Sequence, residues 1–505
     1  MDFYTNVTNF GNTVLVRGVK NGQRVSERHK LEPTLFVPSK KPTNFKTLDD
    51  KYLIPVKHQS ISEAKDFVEA YKDQPGMVYG MTRWQFQYIS DTWRDEIKWN
   101  LNDILIVTID IEVESESGFP KVEDAKEPLL AITIKNHQSK KIVVFGVGEY
   151  KNSRDDVHYI KCDDEDELIK RFLVFWEDTK PDVITGWNSK FYDLPYLIHR
   201  IQTRFGEKEI KRLSVWKSVF KDSIYIAGRE HICYEIKGLE QLDYLDLYKK
   251  FTYSAQESYR LDHIAFVELG EQKEKNPFNT FREWYQNDYQ SFIDYNIQDV
   301  ELVDKLEDKM RLIDLILTMA YSAKCNYGDV FSQVRMWDVI MYNYLRDKNI
   351  QIPLIVRREK QEAYAGAYVK DPQVGLHKWV VSFDLNSLYP HLIMQYNISP
   401  ETIVDMTNQS TSVDSMLDKM FDTDFLKTEN QTLTPNGALF TRKKHGFLPE
   451  LLFKMYNERK VEKKKMLQAQ QEYENTKNPE LLKKISRHGN KQMALKIALN
   501  SAYGA

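Results

Sequence analysis

Cysteine is scarce in this chain. The only three, Cys162, Cys233 and Cys325, are far apart and match no zinc or redox spacing. A disulfide-stapled scaffold is therefore excluded, and structural thiols in a reducing setting are expected. No apolar run approaches the roughly 18 residues that span a bilayer. The opening Met1-Asp2-Phe3-Tyr4-Thr5-Asn6 has neither a basic nor an apolar stretch, so a secretory signal is not expected. Internal repeats and low-complexity tracts are also lacking. Charge of one sign is not in excess: 71 Lys and Arg face 74 Asp and Glu, a net of -3. That balance excludes a uniformly basic, DNA-coating surface.

At 505 residues the chain exceeds what one hydrophobic core can organise, and length predicts roughly three or four domains. Hydrophobic residues make up 42% and charged residues 29%, an ordinary globular balance. The small net charge hides an asymmetry. Residues 441–505 carry 15 Lys and Arg against 6 Asp and Glu, which leaves residues 1–440 at -12. A basic segment on an acidic body fits a local polyanion contact, although a run such as Lys463-Lys464-Lys465 also fits a solvated helix face.

Residues 1–100 read as a small α+β region, with a strand over Asn12 to Arg17 and a helix over Ile61 to Tyr71. Strands and helices then alternate: strands over Ile104–Val113 and Ile142–Phe145, helices over Glu165–Trp176 and Leu194–Phe205. Ser223 to Tyr234 reads as a β-hairpin turning at Ala227-Gly228-Arg229-Glu230. Residues 313–355 are helical in pattern, and Trp379 to Asp384 reads as a strand followed by a turn and a helix. The last stretch predicts two helices packed as a hairpin. Pro449 opens the first, which runs from Glu450 towards Glu474; Asn478 caps the second, with Pro479 at its first position. Gly489 is expected to interrupt that second helix.

The strand Ile104-Leu105-Ile106-Val107-Thr108-Ile109-Asp110-Ile111-Glu112-Val113 carries the clearest chemistry. Period-two alternation sets Asp110 and Glu112 on one face and Leu105, Val107, Ile109, Ile111 and Val113 on the other. Two such acids repel unless a cation lies between them, and hard oxygen ligands suit Mg²⁺ or Mn²⁺. Alone, the pair also fits a half-exposed edge strand. Two later segments extend the pattern. Gly186-Trp187-Asn188-Ser189-Lys190-Phe191-Tyr192-Asp193 precedes a helix that Asp193 is also placed to cap. Tyr295-Asn296-Ile297-Gln298-Asp299 lies on a helix, so Tyr295 and Asp299 share a face.

D-x-E, then N-x₃-Y-D, then Y-x₃-D, in that order, resembles the 3′→5′ proofreading exonuclease domain of family B DNA polymerases. The wider text resembles those of T-even-like bacteriophages, including Ser117-Gly118-Phe119-Pro120 and Leu242-Asp243-Tyr244-Leu245-Asp246-Leu247-Tyr248-Lys249-Lys250. The resemblance runs over nearly the whole chain. It implies that Asp110, Glu112, Asp193 and Asp299 hold two divalent metals, with Tyr295 orienting the attacking water. Hydrolysis of a phosphodiester suits two metals serving both ends of an in-line displacement. Phe191 and Tyr192 are placed to stack on a frayed single-stranded end, or to pack in the core.

Val380-Val381-Ser382-Phe383-Asp384-Leu385-Asn386-Ser387-Leu388-Tyr389-Pro390 resembles the family's palm motif D-x-x-S-L-Y-P. The resemblance implies that Asp384 and the Leu385 carbonyl ligate catalytic metals and that Tyr389 excludes a 2′-hydroxyl. Arg459 and Lys463 are four apart on one predicted helix, Lys496 and Asn500 on the next, so each pair shares a face; two helices presenting cations to one cleft make a triphosphate clamp, and the resemblance implies triphosphate contacts for these residues. Lys496-Ile497-Ala498-Leu499-Asn500-Ser501-Ala502-Tyr503-Gly504 resembles the family's fingers motif. Tyr364-Ala365-Gly366-Ala367-Tyr368 resembles its template-contacting loop, which implies DNA contacts for Tyr364 and Gly366 beside Phe191. The family's second palm acid, in a D-T-D-S hairpin, and its thumb have no counterpart before Ala505.

The expected fold is a multidomain α/β and α+β chain with a ribonuclease-H-like exonuclease domain, a partial palm and helical-hairpin fingers. The resemblance divides it into an N-terminal domain (1–100), an exonuclease domain (101–312), a helical return to the N-terminal domain (313–355), the first part of the palm (356–441) and fingers (442–505). The implied function is the N-terminal part of a replicative DNA polymerase with a proofreading exonuclease. It is expected to be one half of a split enzyme that polymerises only with a second polypeptide. A stand-alone Mg²⁺-dependent single-strand exonuclease with a vestigial palm and a nucleic-acid-binding regulator are the alternatives. Two Mg²⁺ or Mn²⁺ per site, a DNA primer-template and deoxynucleoside triphosphates are implied. A sliding clamp and a single-strand-binding protein are implied as partners, in the cytoplasm of an infected bacterium and away from membranes.

Overall fold

A computed structural model describes residues 1–115, 120–226, 228–252, 254–273, 276–354, 370–407, 414, 415, 418, 420 and 424–504. The chain divides into two compact units: Met1–Leu31 with Tyr88–Ser332, and Glu32–Gln87 with Gln333–Ala505. The first 100 residues thus contribute to both.

The first unit opens with a three-stranded antiparallel meander of Phe3–Phe10, Thr13–Lys20 and Gln23–Lys30. Asn21-Gly22 forms a two-residue turn with both φ positive, 52° and 72°, a pairing that matches the twist of the flanking strands. Arg17, only 3% exposed, leaves this sheet to donate to the carbonyls of Pro181, Lys180 and Gly238 and to pair with Asp182 at 2.8 Å.

The centre of the unit is a six-stranded mixed sheet. In spatial order its strands are Val157–Lys161, Ile142–Gly146, Leu129–Asn136, Ile106–Val113, Val183–Thr185 and Glu240–Gln241. Ile106–Val113 pairs antiparallel with Leu129–Asn136 and parallel with Val183–Thr185, and is therefore interior. Its β-branched run suits a strand covered on both faces. On one face Val107, Ile109, Ile111 and Val113 join Leu168, Phe172 and Trp176 of helix Glu165–Thr179 and Leu194, Leu197 and Ile201 of helix Asp193–Phe205. On the other, helix Tyr289–Met310 buries Phe292, Ile293, Ile297 and Val300 against Ala131, Ile142 and Val144. Asp110 and Glu112 alternate with the first set and so face helix Tyr289–Met310. The edge-strand alternative for these acids is ruled out. The expected hairpin is present but longer, pairing Val219–Ile226 with Arg229–Ile236, so that Arg229 and Glu230 belong to its second strand rather than to the turn.

The second unit contains the sheet of Thr34–Pro38, Tyr52–Lys57 and Phe45–Lys46, and helix Ile61–Ala70, capped by the Ser60 side chain. It also holds helices Gln333–Asp347 and Leu388–Tyr396 and a small sheet of Ile403–Met406, Ala438–Thr441 and Gln431–Leu433. The predicted hairpin is Phe447–Thr476 packed on Glu480–Ser501. Asn478 accepts the Glu480 N–H at 3.0 Å, as a cap should, but the helix proper starts one residue beyond Pro479.

Two expectations fail here. Gly489 does not interrupt Glu480–Ser501: it sits against Met466 of the partner helix, and packing outweighs its weak propensity. Trp379–Asp384 is not a strand. A β-run obtains its hydrogen bonds from neighbours, and among the described residues no strand pairs with it. Trp379 and Phe383 are consequently 97% and 90% exposed. No helix among the described residues is long and apolar enough to cross a membrane.

Candidate active site

Three segments of the first unit converge on one carboxylate cluster, in which Asp193 and Asp299 are buried and Asp110 and Glu112 half-buried. Oxygens of Asp110, Glu112 and Asp299 lie within 4.8 Å of one another. Asp193 joins through the backbone: its Oδ1 accepts the Ile111 N–H at 3.0 Å, between the two strand acids. Capping is therefore not its job. Asp193 is the first residue of helix Asp193–Phe205, and no side chain caps that terminus.

The loop before Asp193 is held from below. The buried Asp243 carboxylate accepts N–H groups of Asn188 at 3.1 Å, Lys190 at 2.9 Å and Leu245 at 2.9 Å. Gly186 is required at the loop's start, because a Cβ there would stand 2.6 Å from the Ile109 carbonyl oxygen. Phe191 at the loop's tip is half-buried, its ring 5.2 Å from Lys190 Nζ and 5.5 Å from the His231 ring. Tyr192 packs against the core instead.

Helix Tyr289–Met310 supplies the opposite wall. Tyr295 and Asp299 share a face, as their spacing predicts, and Lys273 closes the site between them. Its Nζ lies 2.5 Å from Asp299 Oδ2 and 3.8 Å from the centre of the Tyr295 ring. Asn296 donates to Asp110 Oδ2 at 2.6 Å, and the Thr133 hydroxyl donates to Asn296 Oδ1. Lys273, Asn296, Thr133 and Asp243 were not singled out from the sequence. Only Asn296, inside the Y-x₃-D spacing, and Asp243, just before a helix, carried any local signal.

Burial dominates the electrostatics. It pushes the Glu112 carboxyl up to about 8 and that of Asp193 to about 7, with neighbouring acids adding to the effect. The Asp110 carboxyl is also raised well above its ordinary value, by burial first and then by Asp299, Asp193 and Glu112. Asp299 reaches only about 6, because the Lys273 ammonium offsets its burial. Four crowded carboxyls with one nearby cation form an under-neutralised site. Asp299 Oδ1 is buried and has no hydrogen-bond partner among the described residues. An all-carboxylate donor set with an orphaned oxygen fits a hard divalent cation. A second group, His137, Asp304 and Asp308, does not fit one. Lys140 Nζ already lies 2.8 to 3.0 Å from all four Asp oxygens there.

The residues expected in a second site behave differently. In the second unit Tyr389 stacks on Tyr503 with ring centres 4.1 Å apart, and His391 meets Tyr456 edge-on at 4.8 Å. Helix Leu388–Tyr396 also packs on both helices of the hairpin. Arg459 is half-buried, and its Nε has no partner among the described residues. Lys496 is half-buried, while Lys463 and Asn500 are exposed. Asp384 and Leu385 are exposed, and Asp384 makes no ion pair with any described residue. Tyr364 and Gly366 lie outside the described residues.

The mixed sheet thus brings two acids of an interior strand together with Asp193 and Asp299 in a carboxylate cluster that could hold a cation. Residues 87–264 match the family described as DNA polymerase family B, exonuclease domain, and residues 322–505 match DNA polymerase family B. The chain belongs to this family. It is 32% identical over 522 residues to the DNA-directed DNA polymerase of Escherichia phage RB69, covering 97% of this chain and 56% of that protein. Its identity to the DNA-directed DNA polymerase of Enterobacteria phage T4 is 30% over 519 residues, with the same coverage. A DNA polymerase delta catalytic subunit of Candida albicans is 26% identical over 418 residues, 79% of this chain and 38% of that protein. The chain spans just over half the length of the two phage relatives.

Proposed function

We propose that the first unit is a metal-dependent 3′→5′ exonuclease that removes nucleotides from single-stranded DNA ends. The observation that supports this most is the carboxylate ring of Asp110, Glu112, Asp193 and Asp299 with its orphaned Asp299 oxygen. These four residues would hold two divalent cations, Mg²⁺ or Mn²⁺. When bound, such a pair supplies an activated water and stabilises the departing 3′-oxygen.

The chain's own groups do the rest. Tyr295 keeps its hydroxyl proton, since burial and then Asp299 raise its pKa, and so it can donate to or orient the attacking water. Lys273 stays an ammonium: burial opposes the charge, but Asp299 and Tyr295 outweigh it. It offsets part of the carboxylate charge next to the phosphate. Phe191 offers a half-buried ring for stacking an unpaired base. Incubation with a 3′-labelled single strand and Mg²⁺ should release mononucleotides. The Asp110→Ala, Glu112→Ala double variant should lose this activity by at least about 10³-fold, and digestion at the wild-type rate would sink the assignment.

The second unit supports a further role in nucleotidyl transfer. Tyr389 stacked on Tyr503 next to the basic helical hairpin, with the unpartnered Arg459 Nε, would suit a deoxynucleoside triphosphate above a primer-template. One palm acid, Asp384, is a poor holder for two Mg²⁺ ions. Polymerisation therefore needs further carboxylates and a thumb, from a longer form of this chain or from a second polypeptide. Primer extension should appear when those elements are added and stay absent without them. A sliding clamp and a single-strand-binding protein would act with the assembled enzyme in an infected bacterial cytoplasm.

A further inference from the structure

Thr133, Asn296 and Asp110 form a chain of three side chains drawn from three elements. Thr133 lies directly opposite Asp110 in the antiparallel register, so both point to the same face of the sheet. Asn296 sits on the helix that covers this face, one residue after Tyr295 and three before Asp299. Thr133 and Asn296 are both fully buried.

The polarity of the chain follows from its ends. The group facing Asp110 Oδ2 at 2.6 Å is the Asn296 amide nitrogen, which can only donate. The Asn296 oxygen then needs a donor, and the Thr133 hydroxyl provides it. With the hydroxyl in place the amide has one stable orientation. Without it, the amide is free to turn over and present its oxygen to the carboxylate.

We propose that Thr133 and Asn296 are positioning residues that clamp Asp110 through Oδ2 and leave its other oxygen free to bind a cation. The inference rests on the exonuclease reading, since it assigns Asp110 to a metal. Buried polar groups are retained only when satisfied, and here both are spent on holding one carboxylate. Partners of this kind, standing behind a ligand, change metal affinity or activity by about 10–100-fold when removed. A pair that merely fills space would affect folding alone.

The test is Mn²⁺ binding to the full chain without DNA, followed by calorimetry, alongside the Mg²⁺ dependence of single-strand digestion. Asn296→Leu should weaken Mn²⁺ by about 10–100-fold, and Thr133→Val by several-fold. Thr133→Ser, which keeps the hydroxyl, should bind Mn²⁺ as the wild type does. At saturating metal the Thr133→Val protein should digest DNA within about threefold of wild type, so that the half-saturating Mg²⁺ shifts rather than the maximal rate. Thr133→Val and Asn296→Leu proteins that melt earlier yet bind Mn²⁺ like wild type would overturn the relay. If the wild type itself binds no Mn²⁺, the exonuclease reading falls and the relay with it. Wild-type binding with unchanged variants removes the relay alone.

Discussion

Arg17 offers the sharpest test of what holds the nuclease sheet in place. Its guanidinium donates to the carbonyls of Pro181, Gly238 and Lys180 and pairs with Asp182, whose side chain is 1% exposed. Asp182 in turn accepts the Leu105 N–H at 2.9 Å, at the start of the strand that carries Asp110. Arg17→Met preserves length and apolar bulk but strips three carbonyls of a donor and leaves a buried carboxylate short of its counter-ion. Breaking a buried pair by removing one partner costs about 3–5 kcal/mol. Asp182 keeps the Thr5 hydroxyl at 3.2 Å and Arg24 at 3.6 Å, so the low end, about 3 kcal/mol, is expected. Arg17→Lys should recover little, because an ammonium cannot fork across three acceptors. Hydrogen exchange of the Ile106–Val113 amides reads the local opening free energy directly. Adding Asp182→Asn to Arg17→Met should cost less than the sum of the two by about 1–2 kcal/mol, since both act in one network. An Arg17→Met protein within about 1 kcal/mol of wild type, or strict additivity, would refute the reasoning.

Two further outcomes are expected. Lys273→Met removes a positive charge beside Asp299, and even in a water-like dielectric a unit charge next to a divalent-cation site opposes binding by roughly 1–2 kcal/mol. Metal should therefore bind about tenfold more tightly to the variant, although turnover should not rise; weaker Mn²⁺ binding in calorimetry would contradict this. Glu307 is buried beneath the turn between two helices, accepting the Ile313 N–H at 3.0 Å and the Tyr244 hydroxyl at 3.0 Å. Burial raises its carboxyl from 4.5 to about 7. Because the folded value lies above the unfolded one, its contribution is complete below pH 4.5 and is lost as pH rises through about 7. Urea titrations of wild type and Glu307→Gln should diverge across that window, wild type losing on the order of 3 kcal/mol more. An identical pH slope for both proteins would exclude Glu307 as the cause.

Much of the carboxylate site was legible because its parts are local. Alternation along Ile106–Val113 reports which acids share a face, and the four-residue spacing of Tyr295 and Asp299 reports a helix turn. Lys273 was not legible: it precedes Asp299 by 26 residues in a stretch with no pattern, and only packing brings its ammonium to the site. Asp193 was read correctly as near a helix start, yet which backbone N–H it would accept depended on a strand 82 residues away. The Trp379–Asp384 run carries good strand propensity and is no strand here. Propensity describes one chain segment, whereas a sheet needs a partner edge.

The sequence by itself determined the alternation that makes Ile106–Val113 a strand, the order of the acidic motifs and the two-helix hairpin. The alternation and the helix boundaries depend on residues within a few positions of one another, and the order of the motifs is read directly along the chain. Only the tertiary structure decided that Asp110 and Glu112 are interior rather than at an edge, that Asp243 staples the Asn188–Lys190 loop and that Thr133 reaches Asp110 through Asn296. Those outcomes depend on strand order and burial, which set dielectric and hydrogen-bond partners across long chain separations that no local pattern records.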